Sequence, residues 1–249
     1  MKHSRIFAVG VFAAAAFSVL ALPLVGQASS GKPASSSGLQ ASVRVEGLSK
    51  TLLTETVVKT KAKTIEKDGK PADVCEGDSG AVALEDATHG HWTAGSFFSG
   101  LGYSVEGIEG VSYPFSSSYY WSLWIDNKPA TTGICAALHA KEKLLFFPQC
   151  SKESAASCPQ GMFDPAVLLI KAPATGKTGK SVSVSVSALA NSTGKPSAGA
   201  GVKVTGGGHS ATTDTSGKAK LAFAKAGKYT VVATAPGSVR DEITVKVTH

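Results

Sequence analysis

Period-two alternation of apolar and polar residues dominates the second half of the chain. Residues 181–188 alternate Ser with Val over almost their whole length, which predicts a strand with one buried face. Turns carrying Gly, Asn, Asp or Pro separate several further strand candidates. The predicted strands are 166–170, 181–188, 201–205, 210–213, 218–223, 228–235 and 242–248. Many short strands with one solvated face are typical of an all-β immunoglobulin-like sandwich, which we predict over residues 164–249.

The first half has a less regular pattern that includes one short helix. Residues 43–47 and 52–58 predict two strands joined by a turn. Apolar and small residues then recur at helical spacing over 81–88, after a cap at Asp78 or Ser79. This order of a hairpin followed by a helix is found at the start of a β-grasp fold.

Aromatic residues mark the remaining strands of the first half. Residues 119–135 predict an aromatic strand, a turn and a return segment, and 143–148 predict a last strand that ends at Pro148. Together with the hairpin and the helix, they predict an α+β, β-grasp-like domain over residues 40–163.

The first 28 residues have the three parts of a secretory signal peptide. Lys2 and Arg5 precede an apolar run, and small residues at 26–28 offer a cleavage site. We therefore expect a secreted, extracellular or cell-envelope location, with no stable membrane span after the signal is removed. Residues 29–39 are polar and predict a linker.

The charge distribution argues against a nucleic-acid partner. The chain has 25 Lys and Arg against 18 Asp and Glu, and two of the basic residues lie in the signal peptide, which leaves +5 after its removal. The lysines are spread thinly among small polar residues, as on a solvated surface. We predict no nucleic-acid binding.

Four cysteines, Cys75, Cys135, Cys150 and Cys158, follow the signal peptide. An even number in an exported chain predicts disulfides, and four cysteines allow three pairings. We favour Cys75–Cys135, which ties the segment before the helix to the return strand, and Cys150–Cys158, which closes a short polar loop. The spacings do not match those of a zinc site.

Several motifs of the first half together resemble a known domain family. They are 43–47, Cys75 with the helix at 83–87, Trp92, 100–103, 121–128, 133–135 and 144–148. This set resembles the secreted bacterial DUF4430 family, which is related to the C-terminal domain of transcobalamin, and the resemblance implies a β-grasp-like or small α+β domain. The family's Gly-Asp before the last strand is replaced here by the Ala-Lys-Glu-Lys of 140–143. In transcobalamin the domain forms part of a cobalamin cleft whose other wall is a large helical domain, which this sequence does not predict.

Segments that suggest catalysis, metal binding or modification fit structural roles better. Gly77-Asp78-Ser79-Gly80 matches the nucleophile segment of trypsin-like proteases, but no His precedes it in the mature chain, so we predict Ser79 or Asp78 as a helix cap. His89 and His91 lack further ligands at metal-binding spacing. Asn191 opens a glycosylation sequon, for which a plain loop is the preferred interpretation. We predict no catalytic residue, no metal and no cofactor.

Aromatic side chains are the remaining candidates for a binding site. They adjoin a Ser-rich loop and would offer a surface on which a sugar or another flat ligand stacks. These ligand-binding candidates are Tyr113, Tyr119, Tyr120 and Trp124. The alternative is core packing, in which Trp121, Leu123 and Ile125 fill one face of a sheet while Trp124 covers the other.

These observations predict a non-enzymatic interaction or adhesion-type protein, secreted or associated with the cell envelope, whose extracellular or envelope partner is unknown. One alternative is a small-ligand binding protein, for cobalamin or a carbohydrate. A second alternative is a hydrolase with an unrecognised site, which would need a pocket where two titratable groups with strongly shifted pKa values converge.

Overall fold

The chain folds mostly into β-strands, with one helix in the part that the structure describes. The structure is a computed structural model, and it describes residues 38–61, 63–114, 116–151, 158 and 161–249. The predicted signal peptide, 1–28, and nearly all of the predicted linker lie outside the described residues. The described residues all belong to one compact unit, 36–249. The domain boundary at 163/164 therefore stays a prediction.

The N-terminal half, β1 to β10, contains the helix. Its elements are β1 (Leu39–Glu46), β2 (Thr51–Thr60), β3 (Ile65–Glu66), β4 (Val74–Cys75), α1 (Gly80–Ala87), β5 (Trp92–Phe98), β6 (Gly102–Ile108), β7 (Val111–Ser112), β8 (Tyr119–Ile125), β9 (Lys128–Pro129) and β10 (Lys143–Cys150). The main sheet has the strand order β2-β1-β10-β8-β9, in which β1 runs parallel to β10 and antiparallel to β2. β5, β6 and β7 form a separate antiparallel sheet.

Helix α1 covers one face of the main sheet. Its buried Ala81, Val82 and Leu84 share a hydrophobic core with Val43 of β1 and Phe146 of β10. The helix begins after Ser79, as one of the two predicted caps requires, because the Ser79 Oγ accepts a hydrogen bond from the Val82 N–H at 3.5 Å.

The last strand of this sheet continues beyond its predicted end. β10 runs through Pro148 to Cys150, so the prediction that Pro148 ends the strand is wrong. The parallel partner β1 pairs with β10 only as far as Phe146. Beyond that point one side of β10 has no strand partner among the described residues, and a residue without an N–H is tolerated there.

The C-terminal half, β11 to β19, is a β-sandwich. Its strands are β11 (Val167–Lys171), β12 (Thr175–Lys177), β13 (Ser181–Leu189), β14 (Pro196–Ala198), β15 (Lys203–Gly206), β16 (His209–Thr212), β17 (Lys218–Ala222), β18 (Gly227–Thr234) and β19 (Asp241–Thr248). One sheet has the order β11-β13-β14, with β17 also paired to β13, and the other has the order β12-β19-β18-β15-β16. Every strand predicted from alternation is present, whereas β12 and β14, three residues each, are too short to show a period.

The two halves meet across the second face of the main sheet. In β10, Leu144 and Phe146 lie in the helix-side core, whereas Leu145 and Phe147 lie in another core with residues of the C-terminal half. Those residues are Val167, Leu189 and Val239, and Trp124 of β8 lies in the same core. A strand buried on both faces explains the uninterrupted apolar run of β10.

Candidate functional site

A surface cleft of about 350 Å³ lies beside the aromatic strand β8, and we call it the Tyr120 cleft. Its wall includes Tyr120, Trp121 and Trp124 of β8, Pro129 of β9, Gln149 of β10, and Asn191 from the turn after β13. Tyr120 and Gln149 are direct cross-strand partners, so their side chains lie side by side. The cleft is therefore built by both halves of the chain.

A close approach of two turns fixes the Asn191 side of the cleft. Gly194 has a φ of +68°, and a Cβ at this position would overlap the backbone of Asn127, in the turn between β8 and β9, and of Lys128, the first residue of β9. Glycine is required here both for the left-handed conformation and for the space.

Unpaired polar atoms occur in the wall of the Tyr120 cleft. The Trp121 Nε1, the Trp124 Nε1 and the Asn191 Oδ1 are buried and have no hydrogen-bond partner among the described residues. Trp121 is 7% exposed and Trp124 is 1% exposed. Because buried donors and acceptors are normally paired, the unpaired Trp124 donor and Asn191 acceptor beside the cleft point to a ligand or solvent partner there, whereas the Trp121 donor lies on the other side of the sheet.

The electrostatics of the cleft suit an uncharged polar ligand. Every lining side chain is uncharged. Burial raises the pKa of Tyr120 above its ordinary value of 10, so its hydroxyl remains protonated at neutral pH and can both donate and accept.

The structure separates the four predicted aromatic residues. Tyr120 is 42% exposed and presents its ring to the cleft. Trp124 also lines the cleft but is buried, with its ring at an edge-on angle to Phe147 and the centroids 6.0 Å apart. Tyr119 is buried and its hydroxyl donates to the Gly161 carbonyl oxygen at 3.1 Å.

Tyr113 packs inside the aromatic group instead of facing the cleft. Its ring centroid lies 5.6 Å from that of Tyr119 and 5.3 Å from that of Trp121. Burial, and secondarily the nearby Tyr119, raise the pKa of Tyr113. The four candidates thus divide between an exposed ring at Tyr120 and three side chains with a large packing role. Trp121 on one side of the sheet and Trp124 on the other match the core-packing alternative.

A charged site that sequence reasoning missed joins the halves at β1 and β19. We call it the junction cluster, and it contains Arg44, Glu46, Thr51, Arg240, Asp241 and Glu242. The Arg44 guanidinium pairs with the Asp241 carboxylate, and its Nε lies 3.5 Å from the Glu46 Oε1. The Thr51 Oγ1 lies 3.0 Å from the Glu46 Oε2 and 3.1 Å from the Glu242 Oε2.

Glu46 is the strongly perturbed group of the junction cluster. Burial raises the pKa of Glu46 to about 7, although Arg44, Thr51 and Arg240 favour its ionised form. Burial also lowers the pKa of Arg44, but a guanidinium stays protonated in proteins. Because Glu46 is fully buried, its carboxyl is not accessible to a substrate.

The remaining predicted groups have structural surroundings. The disulfides are Cys75–Cys135 and Cys150–Cys158, the pairing favoured from the sequence, and they are compatible with an extracellular protein. His89 occupies a turn with a φ of +52°. Within the described ranges, no group of three or more His, Cys, Asp or Glu side chains is arranged to hold a metal ion. No helix in that part of the chain has the length and apolar character to cross a membrane.

No protein-family model matches the chain, and no curated protein is significantly similar to it. Sequence patterns gave no signal for Gln149, and Asn191 attracted notice as a sequon rather than as a residue of a cleft. The charged residues of the junction cluster lie in or directly before the strands β1 and β19, and no local sequence pattern brings these two distant strands together.

Proposed function

We propose that this protein is a non-enzymatic binding protein, secreted or associated with the cell envelope, and that it holds a neutral carbohydrate in the Tyr120 cleft. The observation that carries the proposal is the pair of unpaired polar atoms on Trp124 and Asn191 beside the exposed ring of Tyr120. The role is interaction or adhesion through a glycan of the envelope.

The chemistry of a sugar matches this wall. Sugar hydroxyls accept hydrogen bonds from indole N–H groups and donate to an amide oxygen, and the apolar face of the ring stacks on a tyrosine. The absence of charge among the lining side chains favours a neutral ligand over an anionic one. A cleft of about 350 Å³ has room for one or two sugar units.

We further propose that the N-terminal half is a β-grasp-like domain related to the DUF4430 family and that the C-terminal half is immunoglobulin-like. The first assignment is supported by the strand order β2-β1-β10-β8-β9, with β1 parallel to β10 and α1 across one face. The second is supported by two packed sheets of short, mostly antiparallel strands.

Isothermal titration calorimetry of the chain without residues 1–28 tests the proposed ligand class. The panel comprises neutral oligosaccharides from cell envelopes, with cobalamin as a separate arm because the family resemblance implies it. We expect binding of a neutral oligosaccharide and a loss of about tenfold or more in affinity for Tyr120→Ala. The matched control is Phe98→Ala, since Phe98 is 44% exposed and does not line the cleft.

Replacing Trp124 by phenylalanine tests the unpaired donor beside the cleft. Trp124→Phe keeps an aromatic ring and removes the N–H that lacks a partner, and Trp121→Phe makes the same change on the other side of the sheet. We expect weaker sugar binding from Trp124→Phe and unchanged binding from Trp121→Phe, with far smaller losses of stability than replacement by alanine causes. If no neutral sugar binds, or if Tyr120→Ala and Phe98→Ala bind a sugar equally well, the carbohydrate proposal is wrong. Cobalamin binding alone would favour the alternative from the resemblance.

A further inference from the structure

β2 forms one edge of the main sheet and has an unpaired outer side. The strand is ten residues long, Thr51–Thr60, and its partner is β1 on the inner side. Among the described residues, no strand pairs with the outer side of β2. A long edge strand with free N–H and C=O groups is a template for pairing with another strand.

The outer part of β2 exposes an apolar residue between two opposite charges. Val57 is 60% exposed, the largest exposed fraction among the large hydrophobic residues of the described chain. Glu55 and Lys59 lie two residues to either side and are also exposed. The three side chains share one face of the sheet, because Val57 pairs with Ser42 and the Ser42 Oγ donates to the Glu55 Oε1 at 2.9 Å.

We propose that β2 pairs antiparallel with β2 of a second copy of this chain, with the two-fold axis through Val57. The axis must stand perpendicular to the sheet, because only then do two identical antiparallel strands present the same face. Side chains alternate between the two faces, and cross-strand partners must lie on the same face, so the two partners are both even-numbered or both odd-numbered residues. The axis therefore passes between two copies of the same residue and not between residues of adjacent number.

The charges on β2 select Val57 as the centre. About this residue, Glu55 of each copy lies opposite Lys59 of the other, and the two exposed Val57 side chains meet at the axis. A centre at Glu55 would place the two Glu55 carboxylates opposite each other, and a centre at Lys59 would do the same with two ammonium groups. Opposite charges and β-branched pairs stabilise cross-strand positions, whereas like charges destabilise them.

Within the monomer, neither Glu55 nor Lys59 is held in a contact that would prevent an ion pair with the second copy. Lys59 has no ion-pair partner in the described part of the chain. Glu55 contacts the Lys143 Nζ at 2.9 Å, but both side chains are about half exposed or more. A surface pair of this kind contributes at most about 1 kcal/mol and leaves the carboxylate accessible to a second cation.

On the other face of β2, the same register places Thr56 opposite Val58 of the second copy, a further β-branched pair. The dimer would join two five-stranded sheets into one continuous sheet. β8 lies on the far side of the sheet from β2, so the Tyr120 cleft of each copy stays open. The inference is independent of the proposed carbohydrate.

Sedimentation equilibrium of the chain without residues 1–28, from low to high micromolar concentration, tests the dimer. We expect a reversible monomer–dimer equilibrium that Val57→Lys weakens by about a hundredfold or more, because it places two like charges at the axis. Phe98→Lys is the matched control, since it introduces the same charge at another exposed apolar residue, and it should leave the equilibrium unchanged. Circular dichroism of each variant verifies its fold.

A charge exchange identifies the register. Glu55→Lys and Lys59→Glu each place like charges opposite each other, so each variant alone should dimerise more weakly. Mixed together, the two variants restore both opposite-charge pairs and should form a heterodimer. Val57→Cys should form a disulfide-linked dimer on oxidation, since cross-strand Cα atoms about 4.5 to 5.5 Å apart suit a disulfide.

Three results would overturn the inference. A chain that remains monomeric throughout the concentration range does not self-pair through β2, and the edge would then be free for a different polypeptide. A dimer that is equally strong in Val57→Lys and Phe98→Lys, or a mixture of charge variants that does not associate, would place the interface elsewhere.

Discussion

Arg44 of β1 and Asp241 of β19 form a buried ion pair that joins the two halves of the chain. The Arg44 side chain is 14% exposed and that of Asp241 is 6% exposed. Asp241 also accepts a hydrogen bond from the Ile170 N–H at 2.7 Å, which connects the pair to β11. The pair and the shared core around Trp124 both join the two halves whose residues line the Tyr120 cleft.

Removing the Asp241 carboxylate should destabilise the protein strongly. Asp241→Ala leaves Arg44 buried without its partner and deprives the Ile170 N–H of its acceptor. We expect a loss of about 3 to 5 kcal/mol in the free energy of unfolding, measured by urea denaturation. Asp86→Ala breaks a partly exposed pair with Lys63 and should cost less than about 1 kcal/mol. Equal losses from both variants would contradict a structural role for the junction pair.

Glu46 should make stability decrease as pH rises from acid to neutral. Its pKa is about 7 in the folded protein and 4.5 ordinarily, so between these values the folded state binds the proton more tightly than the unfolded chain does. The stabilisation from Glu46 is fully present below the pKa of the unfolded chain, 4.5, and is lost as the pH rises through the pKa of the folded protein, about 7. The difference corresponds to at most about 3 kcal/mol.

Urea denaturation at about pH 5 and about pH 8 measures this effect. Glu46→Gln stays neutral and should reduce the fall in stability relative to the parent protein. Glu85 is the control of opposite sign, because hydrogen bonds from Lys67 and Trp92 outweigh its burial and lower its pKa. Glu85→Gln should therefore remove stability that is present at neutral pH and lost in acid. A pH profile that Glu46→Gln leaves unchanged would exclude Glu46 as its source.

Two adjacent tyrosines should differ sharply in their contribution to stability. Tyr119 is 7% exposed and Tyr120 is 42% exposed. We expect Tyr119→Ala to cost about 3 to 5 kcal/mol, because it removes a buried ring. Tyr120→Ala should cost less than about 1 kcal/mol and act on ligand binding instead. Thermal denaturation of both variants measures the difference, and a large loss in Tyr120→Ala would argue against an exposed binding role.

Gly194 should be needed for the shape of the Tyr120 cleft. Gly194→Ala adds a Cβ that overlaps the turn at Asn127, and it also strains a positive φ. Gly201 is a close control, because its φ is +70° and nothing lies within 4 Å of an added Cβ. We expect Gly201→Ala to cost about 1 to 2 kcal/mol, and Gly194→Ala to cost more and to weaken sugar binding. Equal losses of stability in the two variants would mean that the turn at Asn127 can move to accommodate the added methyl group.

Local patterns predicted most of the elements of this fold. The Ser–Val alternation of β13 and the helical spacing after Ser79 each specify a structure through neighbouring residues, and the structure contains both. The strands β5 and β6, in a segment with several glycines, were not predicted. Neither were the short strands β12 and β14, because three residues carry no measurable period. The prediction that Pro148 ends the last strand is wrong, because whether a strand can contain a proline depends on where its neighbour, β1, stops pairing.

The sequence by itself determined the helix, the longer strands of the C-terminal half and which cysteines are favoured to pair, since those features depend on short-range periodicity, helix capping and loop length. Only the tertiary structure decided which aromatic ring is exposed, because the C-terminal half covers Trp124 and leaves Tyr120 open. It also gave Glu46 its unusual pKa, because desolvation comes from atoms that are distant in sequence. Burial is a property of what packs on a residue, and that packing is fixed only when the two halves meet.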